Sequence, residues 1–222
     1  MFEGNFVEAR TLNDAWRDTL WCCVRNGYDQ RIHRGSYQGQ IRRQLPYLTI
    51  RVTEPGTFKP IQFLTPPGVP VPTNAEKIEN YFYTYLMSDH RQGNDYTYGY
   101  YISAQYDTCM NILRAGQGNQ ATIQIGDINS IELENPPCLR TISFKLVNGK
   151  LNMAVYFRSW DLYAGLPENL GGLQLLNELM SYDLDIPAGE LVAFTDGGHI
   201  YDHLFPLVDQ LCADKIGGLR CR

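Results

Sequence analysis

Three side chains in the second half of the sequence could together hold and attack an electron-poor planar ring. They are the thiol of Cys138, the guanidinium of Arg158 and the amide of Asn169. Cys138 follows the pair Pro136–Pro137, and prolines restrict the backbone enough for the turn to aim the sulfur. Arginine stays charged at any relevant pH, so Arg158 can grip an anion and favour a thiolate. This combination predicts nucleophilic chemistry on a heterocycle.

A β-hairpin is predicted to carry the thiol and the guanidinium. Residues 141–147 and 151–157 have the pattern of strands, and Asn148-Gly149 between them is the pair most typical of a two-residue hairpin turn. Arg158 then leaves the end of the second strand. A helix over about 169–182 would place Asn169 at its start.

The other predicted elements support this region. They are helices over 11–26 and 74–87 and strands over 47–53 and 190–195. Thr11 can cap the first helix, and Thr73 with Glu76 forms a capping box for the second. Together these elements predict an α+β fold.

Composition limits the class of protein. The chain has 222 residues, of which 44% are hydrophobic and 19% charged, as expected for one globular domain over residues 1–222. A net charge of −5 argues against a general nucleic-acid binder. No run of about eighteen apolar residues and no signal-peptide pattern are found, so we expect a cytoplasmic protein without membrane contact. Of the six cysteines, only Cys138 is predicted to react.

Two apparent motifs do not fit their usual contexts. Gly116–Ala121 matches a dinucleotide-binding fingerprint, but it precedes a predicted strand instead of following one, so we reject it. His199 and His203 are four residues apart, yet a helix directly after Gly197-Gly198 is not expected and no third ligand is evident. No metal site is predicted.

Four motifs, in this order, resemble those of thymidylate synthases. They are Pro136-Pro-Cys138, Arg158-Ser-Trp-Asp161, Gly165-Leu-Pro-Glu-Asn169 and His199-Ile-Tyr201. The resemblance is close over residues 136–205 and loose over the first 135. It implies a mixed β-sheet covered by helices, a homodimer built sheet on sheet, and a pyrimidine nucleotide as substrate. The implied reaction is C5-methylation of dUMP to dTMP with 5,10-methylenetetrahydrofolate, through a covalent bond between the cysteine and carbon 6 of the base.

The resemblance also implies roles for ten residues. The implied catalytic residues are Cys138, Glu79 and Tyr98, and the implied substrate-binding residues are Arg34, Arg158, Ser159, Asp161, Asn169, His199 and Tyr201. Arg31 matches the mobile phosphate-binding loop of the family nearly as well as Arg34.

The sequence also departs from the family pattern. Asn119-Gln120 stands where thymidylate synthases have an arginine pair that reaches the partner's nucleotide, so phosphate binding would depend on Arg34, Arg158 and the pair Arg42–Arg43. Leu139 and Phe157 replace a histidine and a glutamine, and the C-terminus that closes over the folate is shorter than usual. Two alternatives therefore stay open: a C5-hydroxymethylase acting on dUMP, dCMP or CMP, and a catalytically silent nucleotide-binding relative.

Overall fold

Ten β-strands form the framework of the part of the chain that the structure describes. The structure is a computed structural model, and it describes residues 5–35, 37–57, 59, 61–90, 96–116 and 118–213. In chain order the strands are β1 (Asn5–Ala9), β2 (Tyr28–Arg31), β3 (Ile41–Gln44), β4 (Leu48–Val52), β5 (Thr122–Gln124), β6 (Leu139–Val147), β7 (Lys150–Phe157), β8 (Trp160–Asp161), β9 (Ala188–Thr195) and β10 (Gly198–Tyr201).

The strands form two sheets. The larger has the order β1-β4-β9-β7-β6-β5, and the smaller has the order β2-β3-β10-β8. Both are mixed, since β1 with β4, β7 with β9, and β8 with β10 pair in parallel while their other neighbours are antiparallel. The predicted hairpin is confirmed as β6–β7, and Asn148 (φ 51°) and Gly149 (φ 73°) both have the positive φ that a tight hairpin turn requires.

The part of the chain that the structure describes also contains five α-helices. They are α1 (Leu12–Asn26), α2 (Ala75–Tyr81), α3 (Tyr98–Arg114), α4 (Gly165–Asp183) and α5 (Phe205–Cys212). A π-helical turn, Phe82–Leu86, continues α2, so the predicted helix over 74–87 is confirmed in two parts. Within the described ranges, no helix is long and apolar enough to cross a membrane.

The two predicted N-caps differ in outcome. At α1 the prediction is confirmed, because the Thr11 hydroxyl accepts the N–H of Asp14 at 3.2 Å. At α2 the capping box is wrong by one residue. The cap is Asn74, whose side chain accepts the N–H of Lys77 at 2.9 Å, while the Thr73 side chain is buried. An extended backbone at Asn74 places its amide, not the threonine hydroxyl, over the first turn.

Helix α4 begins four residues earlier than predicted. The Asp161 carboxylate accepts the N–H groups of Tyr163 and Ala164, at 2.9 and 3.2 Å, just ahead of the first turn. Pro167 lies within that first turn, where a backbone N–H needs no partner inside the helix. Asn169 is therefore in the second turn of α4 and not at its start.

Close contact between α2 and α4 depends on a small residue at position 172. A Cβ atom added at Gly172 would lie only 2.6 Å from the ring of Tyr81. Glycine leaves room for this ring, and the approach brings the Tyr81 hydroxyl within 2.9 Å of the Asn169 amide nitrogen. The packing of two helices thus places a side chain from the first half of the chain beside a predicted site residue.

Candidate active site

A cavity of about 640 Å³ opens beside Cys138. Its wall includes five of the predicted site residues, namely Arg34, Cys138, Arg158, Ser159 and Tyr201. A larger cavity of about 950 Å³ lies elsewhere, between β9 and the C-terminal part of α4, and it contains none of the predicted site residues. The chemistry expected from the sequence is therefore assigned to the smaller cavity.

The thiol and the guanidinium meet on the turn that carries Cys138. Nη2 of Arg158 lies 3.8 Å from Sγ of Cys138. The same guanidinium donates from Nε to the carbonyl of Pro137 at 3.1 Å and from Nη2 to that of Pro136 at 2.5 Å. Burial raises the pKa of the Cys138 thiol, and the Arg158 charge lowers it. Arg158 thus offsets part of the cost of forming a thiolate in a half-buried position.

Tyr98 lies directly behind the nucleophile. Its buried hydroxyl accepts the N–H of Leu139, the residue after Cys138, at 3.2 Å. The next residue, Gly99, packs so closely on Ser88 that an added Cβ would lie 2.2 Å from the Ser88 carbonyl oxygen. Tyr98 is therefore held at the N-terminus of α3, and its hydroxyl fixes the first residue of β6.

Four tyrosines connect this position to α2, and we call them the tyrosine cluster: Tyr81, Tyr85, Tyr96 and Tyr98. The ring centroids are 5.6 Å apart for Tyr81 and Tyr85, 4.9 Å for Tyr85 and Tyr98, and 6.0 Å for Tyr96 and Tyr98. Burial raises the pKa of all four phenols, that of Tyr85 to about 12. At neutral pH they therefore remain protonated and can donate hydrogen bonds.

The amide of Asn169 is held between two aromatic side chains. Its Oδ1 accepts the indole N–H of Trp160 at 2.9 Å, and its Nδ2 donates to the hydroxyl of Tyr81 at 2.9 Å. An indole nitrogen can only donate, so the contact with Trp160 determines which end of the amide is oxygen. Trp160 is itself stacked on Phe157, with centroids 4.1 Å apart. The amide therefore presents its free donor and acceptor positions in one fixed order.

Sequence reasoning missed Tyr81, although it identified Asn169. The two residues are 88 positions apart, and no local pattern relates them. The aromatic run after Ile78 was the available signal, but a buried aromatic more often packs a core than orients an amide. The contact between Tyr81 and Asn169 depends on the close approach of α2 to α4 at Gly172.

His199 and Tyr201 lie on β10. The Nδ1–H of His199 donates to the carbonyl of Gly197 at 2.8 Å, while Nε2 is buried and has no hydrogen-bond partner among the described residues. Burial lowers the pKa of His199 to about 4, so the ring is neutral at pH 7 and Nε2 is a free acceptor. In the described ranges no group of three or more His, Cys, Asp or Glu side chains is placed to hold a metal ion.

Positive charge is concentrated in the cavity wall. Arg31, Arg34, Arg42 and Arg158 line it, and within the described residues none of these four forms an ion pair with a carboxylate. Arg43 points to the other face of β3. There it bonds Asp29 at 2.8 Å and covers the ring of Phe205. The expected pair Arg42–Arg43 is therefore divided, with only Arg42 in the cavity.

Five of the ten predicted site residues do not line this cavity: Tyr98, Asn169 and His199, whose contacts are given above, and Glu79 and Asp161. Glu79 is exposed and lines a separate cavity of about 150 Å³ with Lys59, so it is not placed to act at Cys138. Asp161 caps α4 through backbone N–H groups, which gives it a structural role in place of the predicted substrate contact. Asn119 and Gln120, where the family has an arginine pair, line a fourth cavity, of about 480 Å³, beside Lys145.

Comparisons with known proteins agree with this geometry. The sequence model of the family described as thymidylate synthase matches residues 105–216, just over half of the 222-residue chain. A protein of Methanosarcina barkeri named "Putative thymidylate synthase" is 27% identical over 218 residues, which cover 94% of each chain. One of the same name from Methanothermobacter thermautotrophicus is 22% identical and covers 92% of this chain and 97% of its own.

A solved structure shares the fold. Thermostable thymidylate synthase A from Bacillus subtilis superposes with a TM-score of 0.68 over 90% of this chain and 84% of its own, at 16% sequence identity. At that identity the likeness concerns the fold alone. Membership of the family rests instead on the sequence model, which covers Cys138, the arginine that contacts it and the motif that carries Asn169. The chain belongs to the thymidylate synthase family.

Proposed function

We propose that this protein methylates carbon 5 of dUMP through a covalent bond between Cys138 and carbon 6 of the base. The observation that carries the proposal is the contact of 3.8 Å between Arg158 and the Cys138 sulfur in the wall of an arginine-lined cavity. A packing cysteine needs no such partner, whereas a nucleophilic one does. The arginines provide the charge that a nucleotide phosphate requires.

The role of Cys138 follows from the chemistry of the base. Carbon 5 of uracil is a poor nucleophile until a thiolate adds to carbon 6 and pushes an electron pair toward carbon 5. Carbon 5 can then bond the carbon of a one-carbon donor and lose its proton. A bound donor would release that carbon by cleavage of its own nitrogen–carbon bond and would supply a hydride to it, and the electrons displaced by the hydride would re-form the 5,6 double bond and expel Cys138 as the thiolate. Because the pKa of Cys138 is raised by burial, the Arg158 charge is needed in both the first and the last step.

Three further residues are assigned to the nucleoside. The oriented amide of Asn169 is assigned to the edge of the base, where uracil offers a carbonyl and an N–H that one acceptor and one donor can match. Neutral His199 can accept a hydrogen bond at Nε2, and Tyr201 can donate one, so both suit a ribose hydroxyl. Ser159, beside Arg158 in the cavity wall, is assigned to the phosphate.

The rim of the cavity fits a flat one-carbon donor. Ile131 and Leu133 line the cavity, and Ile131 is 77% exposed, so its apolar surface is available to a ring system. 5,10-Methylenetetrahydrofolate is the proposed donor, and when bound it supplies the one-carbon unit and the hydride that completes a methyl group. The same exposure favours the second candidate, a hydroxymethylase, because water can reach an open rim.

One experiment tests the reaction and separates the two products. The protein is incubated with methylenetetrahydrofolate and, in separate reactions, dUMP, UMP, dCMP or CMP; the base is then analysed by mass and dihydrofolate by absorbance. Methylation of dUMP with stoichiometric dihydrofolate is expected. A base that gains a hydroxymethyl group without dihydrofolate would identify the second candidate, and no modified base with any nucleotide would refute both.

The variant Cys138→Ser is the control for covalent chemistry. It should bind dUMP with unchanged affinity yet lose turnover, because an alkoxide is not formed at neutral pH without a strong base. Near-normal turnover would remove the covalent route.

We also propose a homodimer formed through the larger sheet. Its outer face carries large exposed side chains on neighbouring strands and at their ends, including Phe6, Tyr47 and Phe194, which are 39, 51 and 38% exposed. Tyr47 and Phe194 are stacked with centroids 6.5 Å apart, so they form one apolar surface. Sedimentation of the wild type and of Phe194→Glu tests this assembly: the wild type should sediment as a dimer and the variant as a monomer.

A further inference from the structure

Arg42 and its neighbour Arg43 have opposite environments. Both lie on β3, where successive side chains point to opposite faces. Arg43 is neutralised by Asp29. Arg42 pairs with Tyr201 across the strands and lines the cavity that contains Cys138.

One donor of the half-buried Arg42 guanidinium has no hydrogen-bond partner among the described residues. This donor is the Nε–H, which is buried. Burial lowers the pKa of Arg42, the nearby Tyr201 and Tyr28 raise it in part, and the positive charge of Arg158 lowers it. Glu134 and Asp196 also line the cavity, but among the ion pairs of the described residues neither is paired with Arg42. A buried N–H without an acceptor costs free energy, and so does the repulsion from a second positive charge, unless a bound ligand accepts the hydrogen bond.

An anion placed between Arg42 and Arg158 would accept the unpaired N–H of Arg42 and would reduce the repulsion between the two positive charges. The four arginines of the wall exceed its two carboxylates, so the cavity as a whole attracts negative charge. Arg158 uses its Nε and Nη2 for the Pro136–Pro137 turn and for Sγ, and its Nη1 has no acceptor among the described residues. Phosphate oxygens accept well from two guanidinium groups at once.

We propose that Arg42 is a phosphate-binding residue of this site and acts with Arg158 of the same chain. The proposal rests on the proposed function, and it adds the residue that supplies the charge missing at Asn119 and Gln120. Those two amides line a different cavity of their own chain and carry no charge. The 5′-phosphate of the nucleotide is the part of the substrate that Arg42 recognises.

The test compares two variants that differ by one position. Arg42→Gln removes the inward charge and Arg43→Gln the outward one, while each keeps a long polar side chain. Circular dichroism and thermal unfolding first establish that both fold. Affinities for dUMP and deoxyuridine are then measured by calorimetry, and stabilisation by inorganic phosphate is measured from the melting temperature. Arg42→Lys is the rescue variant, since it restores charge without the planar fork.

The loss of charge-assisted hydrogen bonds should weaken dUMP binding by Arg42→Gln roughly 10- to 150-fold. Deoxyuridine affinity should not change, Arg43→Gln should bind dUMP like the wild type, and Arg42→Lys should recover part of the loss. Stabilisation by inorganic phosphate should disappear only in Arg42→Gln.

Wild-type affinity of Arg42→Gln for dUMP, or an equal loss for dUMP and deoxyuridine, would overturn the proposal. Failure of the proposed function gives a different pattern. If the wild type modifies no base, yet phosphate stabilises it and only Arg42→Gln abolishes that effect, the anion site at Arg42 stands without the reaction. If the wild type methylates dUMP and Arg42→Gln has an unchanged KM, the reaction stands without Arg42.

Discussion

Replacing Arg158 with glutamine should raise the pKa of the Cys138 thiol. Nη2 of Arg158 is 3.8 Å from Sγ, and at this distance a unit charge stabilises a thiolate by about 1 kcal/mol in water-like surroundings and about 4 kcal/mol in a protein-like dielectric. These energies correspond to about one to three pH units. Because Arg158 is only half-buried, solvent screening places the expected rise in the lower part of this interval, at about one unit.

The pKa can be followed through alkylation of Cys138 by iodoacetamide. The rate is measured as a function of pH, and the peptide containing Cys138 is quantified by mass spectrometry, which separates it from the other cysteines. The midpoint of the profile is the informative quantity, since a thiolate of higher pKa is also intrinsically more nucleophilic and partly compensates in rate. Arg158→Lys keeps the charge, and it should leave the midpoint closer to that of the wild type.

Arg42→Gln serves as the charge control in the same cavity. It removes one positive charge without touching the bonds between Arg158 and the turn. If Arg158→Gln leaves the midpoint unchanged, Arg158 does not activate the thiol. An equal shift in Arg42→Gln would show that the general field of the cavity, and not the contact, sets the pKa.

Three other outcomes are expected. Because burial lowers the pKa of His199 from 6.5 to about 4, the unfolded chain binds a proton in this interval that the folded chain does not. The free energy of unfolding should therefore drop by about 3 kcal/mol as pH falls through it, and urea titrations of His199→Asn should show a flatter dependence. Gly99→Ala should destabilise the fold by roughly 2 kcal/mol or more, measured by urea unfolding, because the new methyl group meets the Ser88 backbone. Trp160→Phe should free the Asn169 amide to flip and lower the uracil-to-cytosine ratio in kcat/KM roughly 3- to 10-fold, and an unchanged ratio would mean that the indole N–H does not set base choice.

Elements with strong local signals could be predicted from the sequence. The turn at Asn148-Gly149 and the cap at Thr11 depend on residues within a few positions, and both are confirmed. The start of α4 does not follow from the local pattern, because its cap comes from Asp161, a side chain that the motif predicts for the substrate. A helix boundary set by a carboxylate outside the helix leaves no periodic pattern.

The contact between Cys138 and Arg158 could be predicted from the sequence, whereas several other residues of the cavity wall could not. Cys138 directly precedes β6 and Arg158 directly follows β7, so their meeting follows from the hairpin that these two strands form. Arg42 and Arg43 are identical in type and adjacent in sequence, and only the pairing of β3 with β10 decides which one enters the cavity. Glu79 was placed at the site by resemblance, whereas the packing of α2 turns it outward.

The bonds from Arg158 to the Pro136–Pro137 turn also have a mechanical consequence. The guanidinium is tied to the same short loop that carries the sulfur, so a displacement of that loop carries both groups together. Their separation should then fluctuate less than the position of either one. When the cavity closes on a ligand or opens to release it, the surroundings of the sulfur change while its nearest cation stays with it. The pKa of the Cys138 thiol should therefore change little when the cavity opens or closes.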